Sequence, residues 1–128
     1  MLLSATLPAF AQTEELWNRL YITNFASADV HVLDLNRDQT IAKIKVGSGP
    51  SAMAVAPNLE KIYVANLWSG TISIISTAQN EVIGEIAVPC DCARSDPFGL
   101  ALTPDGSKLY VNNLSDGRVR VIDTATNT

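Results

Sequence analysis

Three times this chain writes the same short phrase: Leu20-Tyr21-Ile22-Thr23-Asn24, Ile62-Tyr63-Val64-Ala65-Asn66 and Leu109-Tyr110-Val111-Asn112-Asn113. Each copy is a β-branched and aromatic run closed by Asn, which is the pattern of a strand running into a turn. The residues flanking each phrase repeat as well, so the chain must fold as copies of one supersecondary unit stacked on each other. The tyrosines lie 42 and then 47 positions apart, and the extra five residues fall in one place. Val46-Gly47-Ser48-Gly49-Pro50 in the first interval becomes the run from Val88 to Pro97 in the second, after which Ser51 aligns with Phe98.

One period reads as four strands. The first covers about Ala52 to Ala56 and Gly99 to Thr103, and ends in Pro57-Asn58-Leu59-Glu60 or in Pro104-Asp105-Gly106-Ser107, a hairpin turn chemistry. The second is the Tyr phrase. The third comprises Val30 to Asp34, Ile72 to Ser76 and Val119 to Asp123, and the fourth Ile41 to Val46 or Val82 to Val88. Four antiparallel strands in a period near 42 match one blade of a β-propeller. Side-chain size supports a radial arrangement. Ala52, Ala54, Ala56, Gly99 and Ala101 put small residues where first strands crowd an axis. The second and third strands are apolar at nearly every position, so both of their faces must be covered. The alternation Lys43-Ile44-Lys45-Val46 suits an outer strand, where lysines oppose edge-to-edge pairing.

The motifs Leu-Tyr-Val-x-Asn, Val-x-Val-Ile-Asp-Thr-x-Thr-Asn and Gly-x-Gly-Pro, with the Ala-rich strand and Pro-Asp-Gly, resemble the YVTN family of β-propeller repeats over residues 19–128. The second copy departs from that pattern, with Leu59-Glu60 in place of the usual Gly turn. The resemblance implies an all-β fold of four-stranded antiparallel blades. It implies little about activity, because that family mixes binding proteins, surface proteins and relatives of lactonase and cytochrome d1 propellers. On this reading strands within 19–46, 51–88 and 98–128 belong to successive blades, about two and a half in all. Closed propellers take four to eight blades, roughly 170 to 340 residues at this period, so the expectation is a propeller fragment whose partners include the remaining blades.

Of the 128 residues, 47% are hydrophobic and 17% charged, as in a globular core-forming chain. A net charge of -4 and a pI near 4.7 leave no basic face for a phosphate backbone, so nucleic acid is not an expected partner. Residues 1–11 carry no charge and end in Ala9-Phe10-Ala11, the small-x-small form of a secretory cleavage site, although a basic n-region is missing. Their apolar run is far too short to span a bilayer. They are expected to be a signal-peptide remnant, with an apolar arm that packs on the body as the alternative, followed by a linker over 12–18; the export reading implies a periplasmic or extracellular protein.

Few residues carry chemistry. His31, the single histidine, aligns with Ser73 and Arg120 and reads as an ordinary exposed strand residue without a carboxylate partner. Cys90-Asp91-Cys92 supplies at most half of a zinc site and lacks the Cys-x-x-Cys-His of a c-type haem, so no metal or cofactor is expected. An exported protein favours an oxidised pair, with each other or with cysteines elsewhere. Gly47-Ser48-Gly49-Pro50 has no following helix and reads as a turn between blades, not a phosphate loop. Asn113-Leu114-Ser115 fits a glycosylation sequon. The repeated Asn24, Asn66 and Asn113 nevertheless read as turn residues that hydrogen-bond backbone, and Tyr21, Tyr63 and Tyr110 as repeat core.

Two functional classes follow. One is an exported scaffold that binds a protein or small ligand, with no catalytic residue; the other is part of a propeller enzyme or electron-transfer domain. The loops after the second strands emerge at the same end as those after the fourth, so Phe25, Trp68 and Leu114 should lie beside Gly47 to Pro50 and the inserted Cys90 to Pro97, with Cys90, Asp91, Cys92, Arg94 and Asp96 completing the face. The insertion is the one place where a copy exceeds its repeat, and extra loop length on a rigid scaffold points to recognition. The competing reading makes Trp68 a lid over the inserted loop.

Overall fold

The computed structural model describes residues 18–128. The expected leader, and the expected linker apart from Asn18, lie outside them. Asn18 is a turn residue whose carbonyl accepts a hydrogen bond from Leu35 N at 2.8 Å. Ten strands form in chain order: β1 (Arg19–Asn24), β2 (Asp29–Asp34), β3 (Gln39–Lys45), β4 (Pro50–Val55), β5 (Lys61–Asn66), β6 (Thr71–Ser76), β7 (Glu81–Ala87), β8 (Pro97–Leu102), β9 (Lys108–Asn113) and β10 (Arg118–Asp123). They pair as three antiparallel sheets in sequential order, β1 to β3, β4 to β7 and β8 to β10. The strands matching the first strand of the repeat begin at Pro50 and Pro97, two residues before their expected start. Among the described residues no helix is long and apolar enough to cross a membrane.

The period-two alternation of β5 and β6 sends apolar side chains to both faces of the middle sheet. Ile62, Val64 and Ile75 pack with Val30, Val32 and Ile44 of the first sheet, with Tyr21 and Met53 at the margin. Tyr63, Ile72, Ile74, Ile86 and Val88 pack with Leu109, Val111 and Ile122 of the third. Each outer sheet is covered on one face only. Ile62 is 1% exposed while its equivalent Leu20 is 45% exposed, and Tyr63 is 2% exposed while Tyr110 is 39%. Identical positions thus differ in burial according to whether a sheet lies against them.

Small side chains let the inner strands converge. β4 and β8 run close together, whereas β3 and β7 meet at few points, so the sheets splay like a wedge. Ser51 Oγ spans the narrow side, donating to Phe98 O at 3.1 Å. The outer pairings of both complete hairpins carry a bulge at the same repeat position, leaving Ile41 and Ile83 as extra residues.

Turn chemistry repeats with the strands. Asp34 Oδ1 accepts Asn36 N and Arg37 N, and Asp123 Oδ1 accepts Ala125 N and Thr126 N. These turns close on Asp38, Asn80 and Asn127, all left-handed, the short polar residues that tolerate that conformation best. Between the first two strands of each unit, Leu59 takes φ 61° where Gly106 takes φ 73°. The unusual Leu59 therefore forms the same turn as its glycine counterpart, at a steric cost.

Candidate functional site

The turns after β1, β5 and β9 gather at one end of the sheets with the two segments that join them. Leu67 N donates to Gly49 O at 2.9 Å, and the equivalent Leu114 N donates to Asp96 O at 3.0 Å. Each turn thus docks on the connection entering its own sheet, and the longer insertion keeps the contact that the short connection makes. Trp68 N also donates to Ser48 O, and Ser48 N to Ser69 Oγ at 2.6 Å.

Phe25 and Trp68 meet edge to face with ring centroids 4.5 Å apart, a favourable aromatic geometry. Both rings lie over Gly49, where an added Cβ would come within 3.2 Å of the indole and 3.3 Å of Phe25. What Trp68 covers is therefore Gly49 of the short connection. Trp68 remains 52% exposed and Leu114 56%, so the turns leave apolar surface in solvent.

The insertion forms a second cluster. Cys90 and Cys92 are joined as a disulfide, with Cα atoms 5.2 Å apart. Asp91, between them, pairs with Arg118 at 2.6 Å, and Arg94 pairs with Asp96 at 2.7 Å. Asp96 also accepts the Ser115 hydroxyl, which with Arg94 holds its carboxyl below the usual carboxylate range. Asp116 binds Arg120 through two hydrogen bonds, and that guanidinium lowers its pKa. An oxygen of Asp116 and both sulfurs lie within 4.8 Å of one another, a three-donor group that could meet a metal ion. The same carboxylate is already committed to Arg120, which weighs against a divalent cation. Gly70 ties the two clusters together, since a Cβ there would stand 3.0 Å from Ser95 O.

No family model and no curated protein sequence matches this chain. Solved structures do. One is hydrazine synthase from Kuenenia stuttgartiensis, at 28% identity and a TM-score of 0.77, over 86% of this chain and 30% of that one. Another is the dihydro-heme d1 dehydrogenase NirN in complex with DHE, at 19% identity and a TM-score of 0.72, over 84% of this chain and 22% of that one. Both are β-propeller proteins, and the three antiparallel sheets here match that architecture. The fold is a β-propeller. The chain contributes one complete blade and most of two others, and spans less than a third of either matched chain.

In propeller terms, all eight residues expected on the loop face sit at one end of the blades, but in two groups. Phe25 and Trp68 cover the entry to the middle blade; Cys90, Asp91, Cys92, Arg94, Asp96 and Leu114 surround the entry to the third. The repeated asparagines divide their work. Asn113 Oδ1 accepts backbone N–H groups of Asp96 and Ser115, whereas Asn66 donates to Ser73 and Thr71 hydroxyls and Asn24 to Asp29. Asn113 is 1% exposed, which leaves its sequon closed to glycosylation in the folded chain. His31 departs from its expectation, being half-buried with Nε2 3.5 Å from Asp29, because β2 turns both side chains toward one face.

Three residues of the second cluster escaped the motif search: Asp116, Arg118 and Arg120. A signal for them was present. They align with Ser69, Thr71 and Ser73 of the middle blade, so the third blade trades three hydroxyl residues for charges, all grouped beside its insertion.

Proposed function

We propose that this propeller is an exported scaffold that recognises a protein or small ligand through its loop face. The observation that carries the reading is the pairing of a blade insertion with exposed Trp68 and Leu114 on a rigid set of docked turns. Function on propellers and similar scaffolds concentrates in such loops. The apolar leader ending in Ala9-Phe10-Ala11 supports a periplasmic or extracellular setting. A photo-crosslinking residue placed at Leu114 of the full-length protein in its native cells should yield a discrete adduct, and one placed at Lys43 on the outer strand should not. Equal labelling from both positions overturns the reading. With the captured ligand in hand, Trp68→Ala combined with Arg94→Ala should weaken association by about 2 kcal/mol while the melting temperature holds. A large fall in stability with affinity intact would make the indole part of the fold instead.

A second reading has its own support. The likeness to a chain of hydrazine synthase at 28% identity favours a propeller that forms part of a larger enzyme or electron-transfer protein. Absorbance spectra of the full-length protein from its native source separate the two, since a bound chromophore would belong to the second.

A further inference from the structure

We propose that Cys90 and Cys92 form a reversible dithiol–disulfide pair that exchanges with external thiols at the loop face. Three observations converge. The first is what the bond does not do. Its partners are two residues apart in one loop, so it cross-links no strand to another and closes almost no chain entropy. The blades are held by their apolar cores, and the insertion by Leu114 N on Asp96 O, Asn113 on Asp96 N and the Arg118–Asp91 pair. None of these contacts runs through the sulfurs.

The second is that a hydrogen-bond acceptor for the reduced pair is already at hand. Arg94 O lies 3.0 Å from Cys92 Sγ and 3.5 Å from Cys90 Sγ. On reduction the two sulfurs must separate to van der Waals distance, with the Arg94 carbonyl beside both of them. The third is access. Both cysteines are half-buried on a surface loop, so solvent reaches the pair in part, and the ease of thiol exchange follows such access.

The step balances with a low-molecular-weight thiol as reductant. Its thiolate attacks one sulfur, the Cys90–Cys92 bond breaks, and the released thiolate takes a proton. A second thiol then attacks the mixed disulfide, leaving two protein thiols and one external disulfide. Two electrons and two protons enter the pair. A resident metal is disfavoured at the same place because Asp116, the third donor, is held by Arg120.

The test equilibrates the full-length protein in glutathione buffers of graded reduced-to-oxidised ratio, quenches by alkylation and counts adducts by mass. The expected result is one two-electron transition with the same midpoint from either direction, and a melting temperature that moves by less than about 3 °C between end states. Cys90→Ser should instead trap a stable glutathione adduct on Cys92, because the resolving thiol is gone. A pair that stays oxidised in excess reductant until the protein unfolds overturns the proposal. So does bonding to cysteines elsewhere, or zinc binding by the reduced protein tight enough to block reoxidation.

Discussion

Gly47 shows how one residue can be bound by its neighbours and not by its own backbone. A Cβ there would stand 2.7 Å from the Asn66 amide carbon, and Asn66 is fully buried with its Nδ2 donating to Ser73 and Thr71. Gly47→Ala must push that amide off its partners and is expected to cost about 1–3 kcal/mol, read as a shift in the denaturant midpoint at constant m-value. Asp105 gives a residue-scale prediction in pH. Thr103, then the Ser107 backbone and hydroxyl, hold its carboxyl down to about 2 from an ordinary 3.8. A depressed folded pKa contributes stability that is complete above the ordinary value and lost as pH falls toward the folded one. Acid titration should therefore show stability falling between about pH 4 and pH 2, with Asp105→Asn flattening part of that limb. The fall is shared, because Asp29, Asp34, Asp96 and Asp116 are lowered as well. The Asp-Gly turn was legible in the sequence; the crowding at Gly47 was not, since it arises between residues nineteen positions apart.

At the scale of elements, the insertion behaves as an addition to a standard connection. Asp96 O receives Leu114 N as Gly49 O receives Leu67 N, and β8 then begins at Pro97 as β4 begins at Pro50. Replacing the segment between Val88 and Pro97 by the Gly47-Ser48-Gly49 connection should keep the blade interface and change the melting temperature by only a few degrees, while abolishing thiol chemistry. A collapse of the third blade, seen as lost protection of Leu109 and Val111 amides in hydrogen exchange, would show instead that the insertion holds it. The location of the insertion followed directly from aligning the copies. Its charged partner did not, because Arg118 on β10 reaches Asp91 through the folding of the third sheet and lies far from it in sequence.

Across the whole molecule, burial follows what lies on each blade's two sides. The middle blade buries both faces, and its neighbours leave Leu20, Ile22, Tyr110 and Val121 at 40% or thereabouts and above. Such contiguous apolar faces are association surfaces. The isolated chain of residues 1–128 is therefore expected to self-associate in gel filtration with light scattering, and to bind a hydrophobic dye; a well-behaved monomer with a cooperative melt would contradict this. The amino-acid sequence by itself determined the period, the four-strand unit, the turn positions and the propeller fold, because these depend on local alternation and on residues that recur every blade. Only the tertiary structure decided which of three equivalent tyrosines is buried, that Trp68 and Phe25 share Gly49, that His31 faces Asp29, and that Asp116 stands beside the cysteines. Those facts depend on distances between separate turns and blades, and a repeat assigns every copy the same role until packing distinguishes them.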